Sequence, residues 1–253
     1  MSEPRTGDVL LFSSNNASGL TLKLLTSSNF NHVGIAIRVQ DGKIVDELEN
    51  TKVKGTLCIL ELNAVPRYDV ISKKVVEGLA ITNWDWVTRN YNAVWHRCLK
   101  EEVRPKNIAE KTTEFYHRWF GSKFAASVKT FMGVWLGRQM VDEFRKEGES
   151  RDFFCSEAAA YYYSFLFAEP DYRKLFGNEL PKRGCLYQPK HFSIATSPDS
   201  RLLGEEQLFW QQYNYSFSTI IIPLLMLILL WVIFYELLGI GRSFPKRISF
   251  SNN

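Results

Sequence analysis

Apolar and polar positions change their spacing along the chain, and the change predicts its elements. In the first third, short apolar runs alternate with turn residues. Val9–Ser13 is one such run, and residues 32–39 (HVGIAIRV) and 43–48 (KIVDEL) flank Gln40-Asp41-Gly42. An Asp-Gly pair between two such runs is a strong hairpin signal, so two antiparallel strands are predicted there. Residues 56–62 (TLCILEL) and 68–72 extend the series to a sheet of about five strands, and residues 20–26 predict a short helix after Ser18-Gly19. From about residue 83 to 146 the period lengthens. Trp86, Tyr91, Val94, Trp95 and Leu99, then Phe115, Trp119 and Phe120, then Phe131, Trp135, Met140 and Phe144, recur at helical intervals and read as core aromatics on helix faces. Strands followed by helices is an α+β order, and no internal repeat or low-complexity tract interrupts it.

The far end of the chain has a different pattern. No charged residue occurs between Glu206 and Glu236, and residues 217–240 read FSTIIIPLLMLILLWVIFYELLGI. A helix of that length covers about 36 Å, against about 30 Å for a hydrocarbon core. Trp210, Tyr213 and Tyr215 precede the run, and Trp231 and Tyr235 lie in its second half, where interfacial aromatics belong. These features predict a single transmembrane helix at 217–240, after a linker at 197–216 and before a short basic tail at 241–253. Arg242, Lys246 and Arg247 favour a cytosolic tail, whereas insertion after synthesis leaves the large N-terminal part in the cytosol. Because some two hundred residues are harder to translocate than a tail, the expectation is a single-pass protein whose domain faces the cytosol; a viral membrane or virion also fits.

Composition narrows the function classes. In 253 residues, 31 Lys and Arg against 27 Asp and Glu leave a net charge of only +4, with the signs interspersed, so a field that holds nucleic acid is not expected. Cys58, Cys98, Cys155 and Cys185 lie far apart in a chain long enough to bury a core without staples, which fits a reducing compartment. The N-terminal residues contain no apolar stretch long enough for a signal-peptide core, so secretion by that route is not expected.

Two residues stand where chemistry would favour them. His32 opens a strand, and Cys155 opens the helical run CSEAAAYYYSFLF after Arg151-Asp152, with Ser156 and Glu157 suited to a first turn. A cysteine there feels the positive end of the helix dipole and unpaired N–H groups, which stabilise a thiolate and can receive an oxyanion. The bland alternative is a small buried hydrophobe. His96, Cys98, His117 and Cys185 lack the paired spacing of zinc ligands, so neither a metal nor any other cofactor is expected.

Residues 7–12 (GDVLLF), 27–37 (SSNFNHVGIAI) and 153–162 (FFCSEAAAYY) together resemble the permuted papain-like amidases, a group within the NlpC superfamily that includes the bacterial YiiX-like proteins and poxvirus relatives. In that group a Gly-Asp strand comes first, a His-Val-Gly-Ile motif second, and a Cys-Ser-Glu motif opens a helix downstream. The resemblance spans about residues 7–195, although 74–149 matches nothing in it and is expected to be a helical insert. Residues 188–193 (QPKHFS) are similar to a Pro-x-x-Leu segment of the group, with Phe192 as a departure.

The resemblance implies a circularly permuted papain-like fold over residues 1–196, a small antiparallel sheet packed on helices. It further implies Cys155 as nucleophile, His32 as base, and a polar third residue on the strand after the histidine. Glu47 in KIVDEL is the candidate for that place, and Asp46, on the opposite face of the strand, is the alternative. The expected activity is that of a cysteine amidase or peptidase acting through a thioester acyl-enzyme. The predicted membrane helix adds a lipid-linked or membrane-bound peptide amide as substrate. The alternatives are a lipid acyltransferase or phospholipase of the same fold, and an inactive tail-anchored binding scaffold.

Overall fold

The computed structural model describes residues 3–49, 52–123, 154–177, 180 and 187–212. Along the chain these form β1 (Val9–Ser13), α1 (Ala17–Thr26), β2 (His32–Gln40), β3 (Lys43–Val45), β4 (Leu48–Glu49), β5 (Lys52–Val53), β6 (Thr56–Tyr68), β7 (Val75–Asn83), α2 (Trp84–Asn90), β8 (Ala93–Leu99), α3 (Ile108–Trp119), α4 (Cys155–Phe167), α5 (Tyr172–Phe176), a 3-10 turn (Pro189–Phe192) and β9 (Leu203–Gln211). A seven-stranded antiparallel sheet runs in the order β7-β6-β2-β1-β8-β9, with β3 beside β2; β4 and β5 form a separate ribbon.

Alternation along the strands supplies two cores. Val9, Leu11, Val33, Ile35 and Ile37 join Phe115, Tyr162, Tyr163 and Phe176 on one face. Leu10, Phe12, Ala36, Ile59 and Val94 meet Val87 on the other, with Trp84, Trp86, Tyr91, Phe209 and Trp210 packed around them. The sheet is therefore covered by α3, α4 and α5 on one side and by α2 with β9 aromatics on the other. Each fully buried aliphatic or aromatic side chain contributes about 1.5–3 kcal/mol. Gly34 permits the close pairing of the central strands: a Cβ there would lie 2.6 Å from Ile59 Cγ2 and 3.2 Å from the Leu60 carbonyl oxygen.

The predicted hairpin forms, with Asp41 (φ 51°) and Gly42 (φ 74°) in the left-handed region that a primed turn requires. The predicted helix at 20–26 begins three residues earlier, at Ala17, because the Asn16 side chain accepts the Gly19 N–H at 2.8 Å and caps it.

Other expectations are corrected. Val94, Trp95 and Leu99 lie on β8, between β1 and β9, and not on a helix. Helix α2 stops at Asn90, and Asn92 is fastened to β1 by its N–H to the Ser13 carbonyl (2.8 Å) and by its side chain accepting the Asn15 N–H (2.6 Å). Because β7 and β8 belong to the main sheet, residues 74–99 are not part of a helical insert. Residues 69–72 are a turn rather than a strand, held by Asp69, whose carboxylate accepts the N–H groups of Ile71 (3.1 Å) and Ser72 (2.6 Å). Much of the expected linker at 197–216 is β9, paired with β8.

The membrane prediction is also corrected. Among the described residues no helix is long and apolar enough to cross a membrane. Residues 213–253, with the run at 217–240 and the tail at 241–253, lie outside the described residues. The described residues form an α+β fold with an antiparallel sheet and include no transmembrane helix, so a single-pass, cytosol-facing protein is not supported.

Buried charge pins the end of the sheet away from His32. Asp8 accepts hydrogen bonds from Arg104 (2.6 Å), the Leu99 N–H (2.9 Å) and the Arg5 N–H (2.9 Å), and lies 2.8 Å from His96 Nε2. Burial opposes the charge on Asp8, but His96 and Arg104 hold its carboxyl below the ordinary value. His96 is thus occupied by Asp8. Among the described residues no group of three or more His, Cys, Asp or Glu is placed to hold a metal ion.

Candidate active site

Cys155 is the first residue of α4, where the sequence had placed a helix start. The Cys-Ser-Glu run has a local logic. Glu157 returns its carboxylate to the Phe154 N–H (3.2 Å), satisfying one donor of the first turn, and Ser156 Oγ donates to the Tyr187 carbonyl (2.7 Å), tying the helix start to the 3-10 segment. Cys155 is left half-buried at the positive end of the helix dipole.

His32 is the first residue of β2, paired with Phe12 of β1. Its ring hydrogen-bonds the Cys155 sulfur. Its Nε2 lies 2.9 Å from Glu61 Oε2, and the two side chains are 8% and 0% exposed. Glu61 also accepts the Thr82 hydroxyl at 2.5 Å. A carboxylate at Nε2 fixes the proton on that nitrogen, so Nδ1 remains for the sulfur. The Tyr91 ring stacks on the imidazole at 5.6 Å with 9° between planes, and Phe12 tilts against it at 5.4 Å.

These contacts set the charge states. Burial works against a charged His32, but the Cys155 sulfur and Glu61 outweigh it and push its pKa up to about 10. Burial likewise opposes a Cys155 thiolate; the His32 charge and hydrogen bond, together with the Val33 and Ser156 N–H groups, nevertheless hold the thiol below its ordinary value. Burial opposes ionised Glu61, and the bonds from His32 and Thr82 keep its pKa depressed. Both shifts favour a thiolate beside an imidazolium over the neutral pair. The other described cysteines differ: burial pushes Cys58 up to about 12 and raises Cys98.

The residues singled out from sequence are placed unequally. His32 and Cys155 come together across 123 positions of sequence. Glu47 does not join them: it is exposed and pairs with Lys54 at 3.2 Å. Asp46 does not either, being bound by Arg5 at 2.8 Å with Arg104 at 3.6 Å. The reason is register. With Lys43 opposite Gln40 and Val45 opposite Arg38, the hairpin carries residues after 45 alongside the middle of β2. Even a regular continuation would set Glu47 level with Ala36, about 13 Å along the strand from His32 at about 3.3 Å per residue. Glu61 takes the third place from β6, the neighbour on the other edge of β2, where Leu60 pairs with Ile35. The available signal was a lone carboxylate within the apolar run CILEL, since a buried charge needs a partner.

The Cys155–His32 pair opens into a cleft of about 730 Å³. Its walls are mainly apolar, with Leu22 from α1, Phe30, Leu62, Val65, Tyr91 and Tyr187 among them. An irregularity in β6 shapes one wall: Asn63 pairs with Gly78 and Arg67 with Val76, so β6 carries two residues more than β7 over this interval, and Ala64 and Val65 turn to the cleft.

No protein-family model matches the chain, and no curated protein matches it in sequence. Among solved structures it is similar to the metalloprotein YiiX of Escherichia coli O157:H7, at 13% identity and a TM-score of 0.44, over 83% of this chain and 99% of that one.

Proposed function

We propose that the chain is a cysteine-dependent hydrolase of amide or ester bonds, with Cys155 as nucleophile, His32 as acid and base, and Glu61 as the residue that orients and charges the imidazole. The single observation that carries this reading is the continuous contact from the helix-start sulfur through the His32 ring to a buried carboxylate, opening into an apolar cleft. Thiolate attack forms a bond from Sγ to the acyl carbon and moves the carbonyl electron pair to oxygen. The Ser156 and Val33 N–H groups, which lower the thiol pKa by hydrogen bonding, are available as donors to that oxyanion. As the bond to the leaving amine or alkoxide breaks, the proton on His32 Nδ1 passes to it. Neutral His32 then takes a proton from water attacking the thioester, the C–S bond breaks, and the thiolate and imidazolium return.

The test is acyl-enzyme capture. With an activated medium-chain acyl ester, intact-protein mass spectrometry should show one acyl adduct, mapped to Cys155, followed by release of the free acid. Cys155→Ala should show neither. Ester turnover by Cys155→Ala equal to that of the wild type would remove Cys155 from the chemistry.

A further inference from the structure

Among the described residues of the cleft is a cation that the chemistry above does not use. Of the described residues that line it, Arg67 is the only one besides His32 with a basic side chain. Its guanidinium stacks on Trp86, with Cζ 3.7 Å from the ring centroid, which fixes the plane of the fork. Its Nη1 donates to the carbonyl of its own neighbour, Pro66, at 3.1 Å. Its Nε is buried without a hydrogen-bond partner, as is Tyr187 Oη, which belongs to the same cleft. The charged or ionisable groups that act on Arg67 are Glu61 and Tyr91, and Glu61 is already engaged by His32 and Thr82. No carboxylate forms an ion pair with Arg67 among the described residues, whereas Arg5, Arg38 and Arg104 all have one.

A held arginine with an unfilled donor, at the wall of an apolar cavity, is a receptor for a negative group. We propose that Arg67 is a specificity-determining residue that pairs with a carboxylate or phosphate on the substrate while the substrate's apolar part occupies the cleft beside Cys155. This rests on Cys155 as the reactive nucleophile. The substrate class it defines is an acyl or amide compound that is both apolar and anionic.

Two alkylating agents of nearly equal size, iodoacetate and iodoacetamide, test this without knowledge of the substrate. Rates at Cys155 would be measured by site-resolved mass spectrometry on the full chain, in the wild type, Arg67→Gln and Arg67→Lys. Removal of a charge-assisted contact should lower the iodoacetate-to-iodoacetamide rate ratio about tenfold in Arg67→Gln. Arg67→Lys should retain most of the ratio, and the iodoacetamide rate, which reports an intact site, should stay within about twofold of wild type in both. Wild-type protein supplies a second arm: decanoate and decyl phosphate should protect Cys155 at concentrations where decanol does not, and their ranking separates a carboxylate from a phosphate partner. A reactive Cys155 whose ratio is indifferent to Arg67→Gln, or equal protection by decanol, overturns the role of Arg67 alone. A wild-type Cys155 inert to iodoacetamide overturns the catalytic reading and this inference with it.

Discussion

Replacing Glu61 by Gln changes the site in a way that can be worked from its hydrogen bonds. In the wild type, Glu61 Oε1 accepts the Thr82 hydroxyl and Oε2 faces His32 Nε2 at 2.9 Å. A glutamine can keep the Thr82 bond through its carbonyl oxygen, but then its NH2 group points a donor at the His32 N–H. The clash is relieved if His32 gives up the Nε2 proton and becomes the neutral Nδ1–H tautomer, which can no longer accept a proton from the Cys155 thiol. Two losses follow: the buried negative charge that supports the imidazolium, and the tautomer that serves the sulfur. A hydrogen bond to a charged group contributes about 1.5–3 kcal/mol, which at 1.36 kcal/mol per unit is about one to two pKa units. The Cys155 thiol should therefore move up by about that amount, and its iodoacetamide rate near pH 7 should fall, by up to about tenfold for each unit of the shift. The assay is the pH profile of Cys155 alkylation, with Cys58 and Cys98 as internal controls. An unchanged profile in Glu61→Gln, or an equal loss in Glu47→Gln, would refute the place given to Glu61.

Glu47→Gln should leave both alkylation and stability within experimental error, since its one ion pair is exposed. Asp8→Asn leaves Arg104 and His96 without their buried partner and should destabilise the fold by about 3–5 kcal/mol, read from urea denaturation. Gly34→Ala places a methyl 2.6 Å from Ile59 Cγ2 and should cost about 1–3 kcal/mol, seen as a lower Tm. The ion pair gives stability a defined pH form. His32, raised to about 10 from 6.5, stabilises below its unfolded value and loses that as pH rises through about 10; Cys155, depressed from 9.0, gains as pH rises toward 9.0. Just below 9.0, where both groups act, the two slopes cancel, so the stability difference between wild type and the His32→Ala/Cys155→Ala double variant should be flat there. It should fall above 9.0, as His32 loses its proton through about 10.

Local chemistry made part of this architecture legible and tertiary context hid the rest. The Asp41-Gly42 turn, the β1 run and the start of α4 carry their own signals, and each forms where the sequence placed it. Strand β8 was hidden because Trp86, Tyr91, Val94, Trp95 and Leu99 happen to be spaced like a helix face. The turn at Tyr91-Asn92 that breaks the series is specified by contacts to Ser13 and Asn15, far away in sequence. Strand β9 was hidden by its polar positions, LGEEQLFWQ, which suit an edge strand as well as a linker. For the third residue of the site, the hairpin register alone argued against Glu47, because an Asp-Gly turn puts the strand after it beside the far end of β2 rather than beside His32. No feature of the sequence placed β6 on the other edge of β2, so Glu61 and Arg67 emerged only from the sheet order.

The most direct test of the site is the alkylation profile of Cys155 across pH in wild type and His32→Ala. A thiolate held by an imidazolium predicts rapid alkylation with a midpoint well below about 8.5, the unperturbed thiol value, and a shift back toward it in His32→Ala, because the helix dipole alone supplies less than about one pKa unit. A wild-type midpoint near about 8.5 that does not move in His32→Ala would contradict it.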